Sequence, residues 1–114
     1  WQEKISTTKD LTEAKSRVVV IDDKDIVKGF GLSTGAIVWQ QSGLKLRGLS
    51  SPVSVRGNIA IGDSEGYIHI LDSSDGSFVA RSKITKSSIL EIVSEKNNIV
   101  VTDNSGMLFF LSVQ

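Results

Sequence analysis

The sequence has no cysteine, no long apolar run and no excess of charge of either sign. Without cysteine, disulfide frameworks, thiolate metal sites and thiol nucleophiles are all excluded. No apolar stretch approaches the roughly 18 to 20 residues that a helix needs to span a bilayer. The 13 basic and 13 acidic side chains balance, so neither nucleic acid nor anionic lipid is expected as the main partner.

What the chain does contain is isoleucine and valine, 24 residues in all. These residues fall in short apolar runs separated by Gly, Asp, Asn and Ser, which is typical of short strands joined by tight turns. The one mildly helical stretch, residues 12–16, is too short and too poorly capped to form a helix. The composition therefore predicts an all-β protein.

The sequence also repeats itself. Residues 57–71 match residues 16–30 without a gap at an offset of 41, and they match residues 97–111 at an offset of 40. Each copy consists of an apolar strand, a four-residue polar turn and a second apolar strand. Two similar offsets in one short chain indicate a repeated structural unit.

The polar turn of each copy has a physical cause. One repeat position holds an aspartate in all three copies: Asp22, Asp63 and Asp103. The position three residues later holds Asp25, Gly66 or Gly106. An aspartate side chain accepts a hydrogen bond from the backbone two residues on, and glycine adopts a left-handed conformation at little steric cost. We therefore assign structural roles in the turns to Asp22, Asp63, Gly66, Asp103 and Gly106.

Adding the flanking strands gives four antiparallel strands every 40 to 41 residues, the spacing of a β-propeller blade. A sandwich or a lipocalin-type barrel lacks this repeat. Blades are predicted at residues 10–41 and 52–84, with an incomplete last blade, lacking its outer strand, at 89–114 and the outer strand of a preceding blade at 1–5. Since propellers close with about four to eight blades, we expect the chain to be a C-terminal fragment, a partial β-propeller of about three four-stranded antiparallel blades.

Two further expectations follow from the blade pattern. The apolar runs at 18–21 and 109–111 do not alternate with polar residues, which favours strands that are buried on both faces. An incomplete propeller exposes apolar faces and strand edges, so the isolated fragment is expected to associate with copies of itself.

A turn that ends in Gly35 is followed four residues later by Trp39. The run 32–39 resembles the tryptophan-docking motif of quinoprotein-type repeats, in which the indole packs between neighbouring blades. We therefore assign Trp39 a structural role rather than stacking on a cofactor. The second copy keeps the glycine, Gly76, but has Ala80 where the tryptophan would stand. Docking there must be weaker, or the space must be filled differently.

Four segments carry a closer resemblance. These segments are Ser51-Pro52-Val53, Gly57-Asn58, residues 62–69 and residues 75–80. They resemble the last complete blade of the BamB family, lipoprotein subunits of the bacterial outer-membrane β-barrel assembly machinery, and residues 62–69 are the most specific part. The similarity covers essentially the whole chain.

The resemblance implies a non-enzymatic scaffold at the periplasmic face of the outer membrane. Such a scaffold would bind the POTRA domains of the barrel-forming subunit BamA and other machinery subunits, and it would assist the insertion of outer-membrane proteins. It implies no cofactor. The lipidated cysteine through which the family attaches to the membrane is not in this sequence. The alternative is a blade segment of a pyrroloquinoline-quinone-dependent dehydrogenase, since such enzymes share the docking motif.

The loop between the first two blades is the candidate partner-binding segment. It places Leu44, Leu46 and Leu49 beside Arg47, and interfaces favour arginine and large apolar anchors. It is similar in character to a partner-binding loop of the family, although that loop occupies a different blade. The other interpretation is that the leucines pack under the loop and seal the end of the blade.

Two other residue groups are interpreted as structural. His69, the single histidine, shares a strand face with Tyr67 and has no cysteine or second histidine to complete a metal site. It is predicted to be a packed or solvent-facing strand residue. The acidic group Asp22, Asp23 and Asp25 lacks the ligand series of an EF-hand calcium loop, so turn formation is favoured there. No catalytic, cofactor or metal residue is predicted.

Overall fold

The computed structural model describes residues 9–113, which form eleven strands in three antiparallel sheets. The first sheet consists of β1 (Thr12–Ala14), β2 (Arg17–Ile21), β3 (Val27–Gly31) and β4 (Ile37–Gln41). The second consists of β5 (Val53–Val55), β6 (Asn58–Gly62), β7 (Tyr67–Asp72) and β8 (Phe78–Lys83). The third consists of β9 (Ile89–Glu95), β10 (Asn98–Asp103) and β11 (Leu108–Ser112).

Each sheet is a meander in which strands follow one another in chain order. The described residues contain no helix, so the all-β prediction is confirmed, as are two sheets of four strands and a last sheet of three. The strand predicted at residues 1–5 lies outside the described residues. The first and second strands of each unit join through tight turns, with positive φ at Lys15, Ser16, Arg56, Gly57 and Lys96.

Two apolar cores lie in the seams between neighbouring sheets. The seam between the first and second sheets contains Ala14, Val19, Ile21, Val27, Trp39, Leu44, Leu49, Ile59, Ile61 and Leu71. The seam between the second and third sheets is centred on Val55, Ala60, Ile68, Ile70, Ile89, Ile92, Ile99 and Val101. Each fully buried aliphatic side chain contributes about 1.5 to 3 kcal/mol of hydrophobic free energy. The seams therefore hold the sheets side by side.

The prediction of burial on both faces holds for one strand and is wrong for another. In β2, Val19, Val20 and Ile21 are buried and Val18 is half-buried. In β11, by contrast, Phe110 is 78% exposed. The reason is that the third sheet packs against the second on one face only, within the described residues. Val93, Leu108 and Phe110, on its other face, are exposed. Self-association of the isolated chain stays a prediction.

Trp39 connects the first sheet to the second. Its indole is 7% exposed, and Nε1–H donates a hydrogen bond of 2.8 Å to the carbonyl oxygen of Ser73. A Cβ atom added at Gly29 or at Gly76 would overlap the indole ring. The ring therefore lies between a glycine of its own sheet and a glycine of the next one.

The corresponding seam of the second sheet is filled differently. Gly29 pairs with Trp39 across β3 and β4, and the equivalent pair across β7 and β8 is Ile70 with Ala80. The large and small members of the pair have thus exchanged strands. Ile70 is buried, so it takes part of the space that a docked tryptophan would occupy.

Candidate functional site

The strands of each sheet end at two opposite edges, and the candidate site lies at one of these edges. This end, here called the linker face, holds the β2–β3, β6–β7 and β10–β11 turns together with two connections between sheets. The first linker, residues 42–52, joins β4 to β5, and the second linker, residues 84–88, joins β8 to β9. The β3–β4 and β7–β8 turns lie at the opposite end because the strands are antiparallel.

The aspartate turns are built alike in all three sheets. Oδ1 of Asp63 accepts hydrogen bonds from the N–H groups of Glu65, at 2.9 Å, and Tyr67, at 3.0 Å. Asp22 and Asp103 accept the same pair of bonds in their own turns. The residue three positions later has positive φ in each turn: 62° at Asp25, 89° at Gly66 and 89° at Gly106. One carboxylate oxygen therefore shapes the turn.

The second carboxylate oxygen of Asp63 and of Asp103 contacts a linker between sheets. Oδ2 of Asp63 lies 3.0 Å from a terminal guanidinium nitrogen of Arg47 in the first linker. Oδ2 of Asp103 accepts a 2.7 Å hydrogen bond from Oγ1 of Thr85 in the second linker. In both cases the aspartate binds the linker that leads into its own sheet. The repeat position thus fixes both the turn and the linker.

These hydrogen bonds set the charge state of the aspartates. Burial raises the pKa of Asp63, but bonds from His69, from the N–H groups of Tyr67 and Glu65 and from Arg47 outweigh it and hold the pKa below its ordinary value. Side-chain bonds from Ser105 and Thr85 lower the pKa of Asp103 from 3.8 to about 2. Both carboxylates are ionised at neutral pH.

The lowered pKa of Asp103 predicts acid sensitivity. Its contribution to stability is fully present above pH 3.8, the ordinary pKa, and is lost as the pH falls through about 2 because the unfolded chain binds the proton more readily. We expect the urea midpoint of unfolding to fall over that window, with a weaker pH dependence in Asp103→Asn. Asp23→Asn, at an exposed position of the first turn, should keep the original dependence. Parallel profiles for all three proteins would contradict this assignment.

Arg47 and the buried pair of Asp63 and His69 form a cluster that the sequence analysis did not find. Nε2 of His69 lies 2.7 Å from Oδ2 of Asp63. Because an ionised carboxylate only accepts hydrogen bonds, Nε2 must carry the hydrogen. His69 is 1% exposed and lies 6.1 Å from the Tyr67 ring, centroid to centroid. A histidine in an otherwise apolar strand was the available signal, since a buried imidazole needs a polar partner.

The structure divides the four predicted partner-binding residues of the first linker. Leu44 and Leu49 are buried in the seam between the first two sheets, so they pack and offer no surface to a partner. Leu46 is 76% exposed, and Arg47 is partly exposed while it pairs with Asp63. Only Leu46 and Arg47 are therefore accessible as anchors.

The exposed part of the first linker is held in place on both sides. The N–H of Leu46 donates to the carbonyl of Lys24 at 3.2 Å, and the N–H of Gly48 donates to Oδ2 of Asp25 at 2.9 Å. The N–H and the hydroxyl of Ser64 both donate to the carbonyl of Arg47, at 3.1 and 2.7 Å. Leu46 also has a φ of 61°. The backbone therefore presents Leu46 in a defined, outward orientation.

The acidic group of the first turn has partners of its own. Asp22 faces Nζ of Lys28 at 3.3 Å, and Asp25 faces Nζ of Lys9 at 3.5 Å. Across residues 9–113, no three His, Cys, Asp or Glu side chains are grouped so that they could hold a metal ion. In the same part of the chain, no helix is long and apolar enough to cross a membrane.

Comparison with known proteins identifies the family. The sequence profile described as outer membrane protein assembly factor BamB matches residues 1–114. The chain belongs to this family. The BamB protein of Legionella pneumophila (strain Paris) is 38% identical over 114 residues, which are 99% of this chain and 29% of that protein. The BamB protein of Escherichia coli (strain K12) is 31% identical over 113 residues, 98% of this chain and 29% of that protein.

Solved structures agree with the BamB assignment. The crystal structure of BamB from Moraxella catarrhalis matches with a TM-score of 0.90 at 29% identity, covering 97% of this chain and 34% of that one. The β-propeller domain of Doa1 matches with a TM-score of 0.72 at 15% identity, covering 87% of this chain and 34% of that one, which supports the fold alone. The predicted partial β-propeller is confirmed. The chain spans about three tenths of the BamB relatives that it matches.

Proposed function

We propose that this chain is part of a non-enzymatic scaffold subunit of the outer-membrane protein assembly machinery. The proposal rests on its membership of the BamB family and on relatives that are named as outer membrane protein assembly factors. The protein would work at the periplasmic face of the outer membrane, attached through a lipid anchor outside this sequence. There it would bind the POTRA domains of BamA and assist the insertion of outer-membrane proteins.

The observation that carries the proposed contact is the outward presentation of Leu46. An exposed leucine on a backbone fixed by hydrogen bonds loses little conformational entropy on binding. Arg47 lies next to it, and its side chain is 32% exposed. An apolar anchor beside an arginine is a composition that protein interfaces favour. We therefore place a partner contact at Leu46 and Arg47, on the linker face.

The contact can be tested in the full-length protein that carries these blades. Leu46→Ala is expected to weaken binding to the isolated periplasmic domains of BamA by about tenfold, since interface anchors cost more than about 1 kcal/mol when truncated. Isothermal titration calorimetry would measure the two affinities. Leu32→Ala is the matched control because Leu32 is also exposed but lies in the β3–β4 turn, at the opposite end of the sheet. Equal affinities for Leu46→Ala and the unaltered protein would contradict the contact.

A further inference from the structure

Asp25 adopts a backbone conformation that the other two units give to glycine. Its φ is 62°, while the residues at the same repeat position, Gly66 and Gly106, both have a φ of 89°. A side chain in the left-handed region costs conformational energy that glycine avoids. A residue that is kept there in spite of this cost indicates a role beyond closing the turn.

The carboxylate of Asp25 contacts the first linker. Its Oδ2 accepts the 2.9 Å hydrogen bond from the N–H of Gly48, and its Oδ1 lies 3.5 Å from Nζ of Lys9. Asp25 is buried, whereas Gly48 is exposed. The side chain therefore ties an exposed part of the linker to the turn of the first sheet.

The second sheet shows how glycine at this position meets a linker. A Cβ atom at Gly66 would overlap the carbonyl of Thr85, so the second linker packs directly on the turn before it. The first linker, residues 42–52, is more than twice as long as the second, residues 84–88. In the first sheet the contact between turn and linker runs instead through the side chain of Asp25.

Leu46, in the same linker, is also held in the left-handed region. Its φ is 61°, and a leucine has no polar side chain that could favour this conformation through a local hydrogen bond. Its N–H donates to the carbonyl of Lys24 at 3.2 Å, and Gly48, two residues later, donates to Asp25. The turn of the first sheet thus holds the linker at two points, one at Leu46 and one just beyond Arg47.

We infer that Asp25 is a positioning residue for the partner contact, an inference that rests on the contact proposed at Leu46. The carboxylate holds Gly48 against the first turn, and this keeps Leu46 in its strained, outward conformation before the partner arrives. A side chain that is already in its bound orientation loses less conformational entropy on binding. Without the carboxylate, Leu46 relaxes in a fraction of the molecules, and the affinity falls in proportion to that fraction.

Amide hydrogen exchange in the full-length protein that carries these blades tests the hold on the linker. Asp25→Gly keeps the left-handed turn but removes the carboxylate, so the amides of Leu46 and Gly48 should exchange at least about tenfold faster. Asp25→Asn keeps a side-chain oxygen that accepts the bond and tolerates the same φ, so exchange should stay within about threefold. Ser50 is the internal control, because its N–H donates to Gly62 in the second sheet and its exchange rate should not change.

A double-mutant cycle tests the consequence for binding. Affinity for the isolated periplasmic domains of BamA is measured by isothermal titration calorimetry. Asp25→Gly should weaken binding by about threefold when Leu46 is present. The same substitution in a Leu46→Ala background should weaken it by less than about 1.5-fold, because the side chain that Asp25 positions is gone. A residue that only stabilised the fold would cause the same loss in both backgrounds.

The outcomes separate this inference from the proposed contact. If Leu46→Ala weakens binding, the contact stands. Unchanged exchange at Gly48 in Asp25→Gly, an equal rise in exchange at Ser50, or equal affinity losses in the two backgrounds would then overturn the positioning role alone. Equal affinities for Leu46→Ala and the unaltered protein would overturn the contact and the role of Asp25 in binding together.

Discussion

Replacement of Trp39 by alanine is expected to lower the free energy of unfolding of this chain by about 3 to 5 kcal/mol, the range measured for buried tryptophans. The indole fills the space between Gly29 and Gly76, where the surrounding glycines have no side chains that could relax into the cavity. The bond from Nε1 to Ser73 would be lost as well. Urea unfolding followed by far-ultraviolet circular dichroism measures the change.

The control for Trp39 is its neighbour in β4. Val38 is about half-exposed, so Val38→Ala should change stability by no more than about 0.5 kcal/mol. A Trp39→Ala variant that unfolds at the same urea concentration as Val38→Ala would show that the indole does not hold the two sheets together. Trp39→Phe should fall between them, because it restores an aromatic ring but not the N–H donor.

The second large effect on stability is expected from the substitution Gly66→Ala. Gly66 and Gly106 both have a φ of 89°, so alanine at either position pays a similar conformational cost of about 1 to 2 kcal/mol. At Gly66 the added Cβ would also overlap the carbonyl of Thr85 in the second linker, whereas at Gly106 it would meet no atom within 4 Å. We expect Gly66→Ala to be more destabilising than Gly106→Ala by about 1 to 3 kcal/mol, the usual cost of overpacking.

The paired design of the glycine experiment isolates one quantity. Subtracting the two free-energy losses removes the shared backbone cost and leaves the contact between Gly66 and the second linker. Thermal or urea unfolding of both variants under one set of conditions provides the numbers. Equal losses would mean that the linker moves aside freely, and the close approach to Thr85 would then contribute nothing to stability.

The strands and turns could be predicted from the sequence because their causes are local. An aspartate that accepts backbone hydrogen bonds two and four residues on acts within a single turn, and the apolar runs beside it repeat with the same period. The role of Trp39 was expected from the resemblance of residues 32–39 to the tryptophan-docking motif of quinoprotein-type repeats. In these cases no knowledge of the neighbouring sheet was needed.

The burial of the linker residues and the contacts between sheets could not be predicted, because they depend on which residues meet across a seam. Leu44 and Leu46 are two residues apart in one linker, yet one is buried and the other is exposed, because the path of the linker over the second sheet decides which side chain faces inward. The contact of Arg47 with Asp63 joins residues 16 positions apart. The run 109–111 is as apolar as 18–21 but has a packed sheet on one face only within the described residues. Periodicity within a strand does not reveal these neighbours.

The exchange of large and small residues between the Gly29–Trp39 and Ile70–Ala80 pairs has a consequence for how such a protein can change over time. The units resemble one another, but the side chains that pack against neighbouring units differ. A tryptophan at position 80 would overlap Ile70. If a copy of the second unit replaced the first, no indole ring would pack over Gly76. Units of this chain could therefore not be shuffled or duplicated one for another without compensating substitutions. The order of the units along the chain is therefore determined by the side chains that meet between sheets as well as by the linkers.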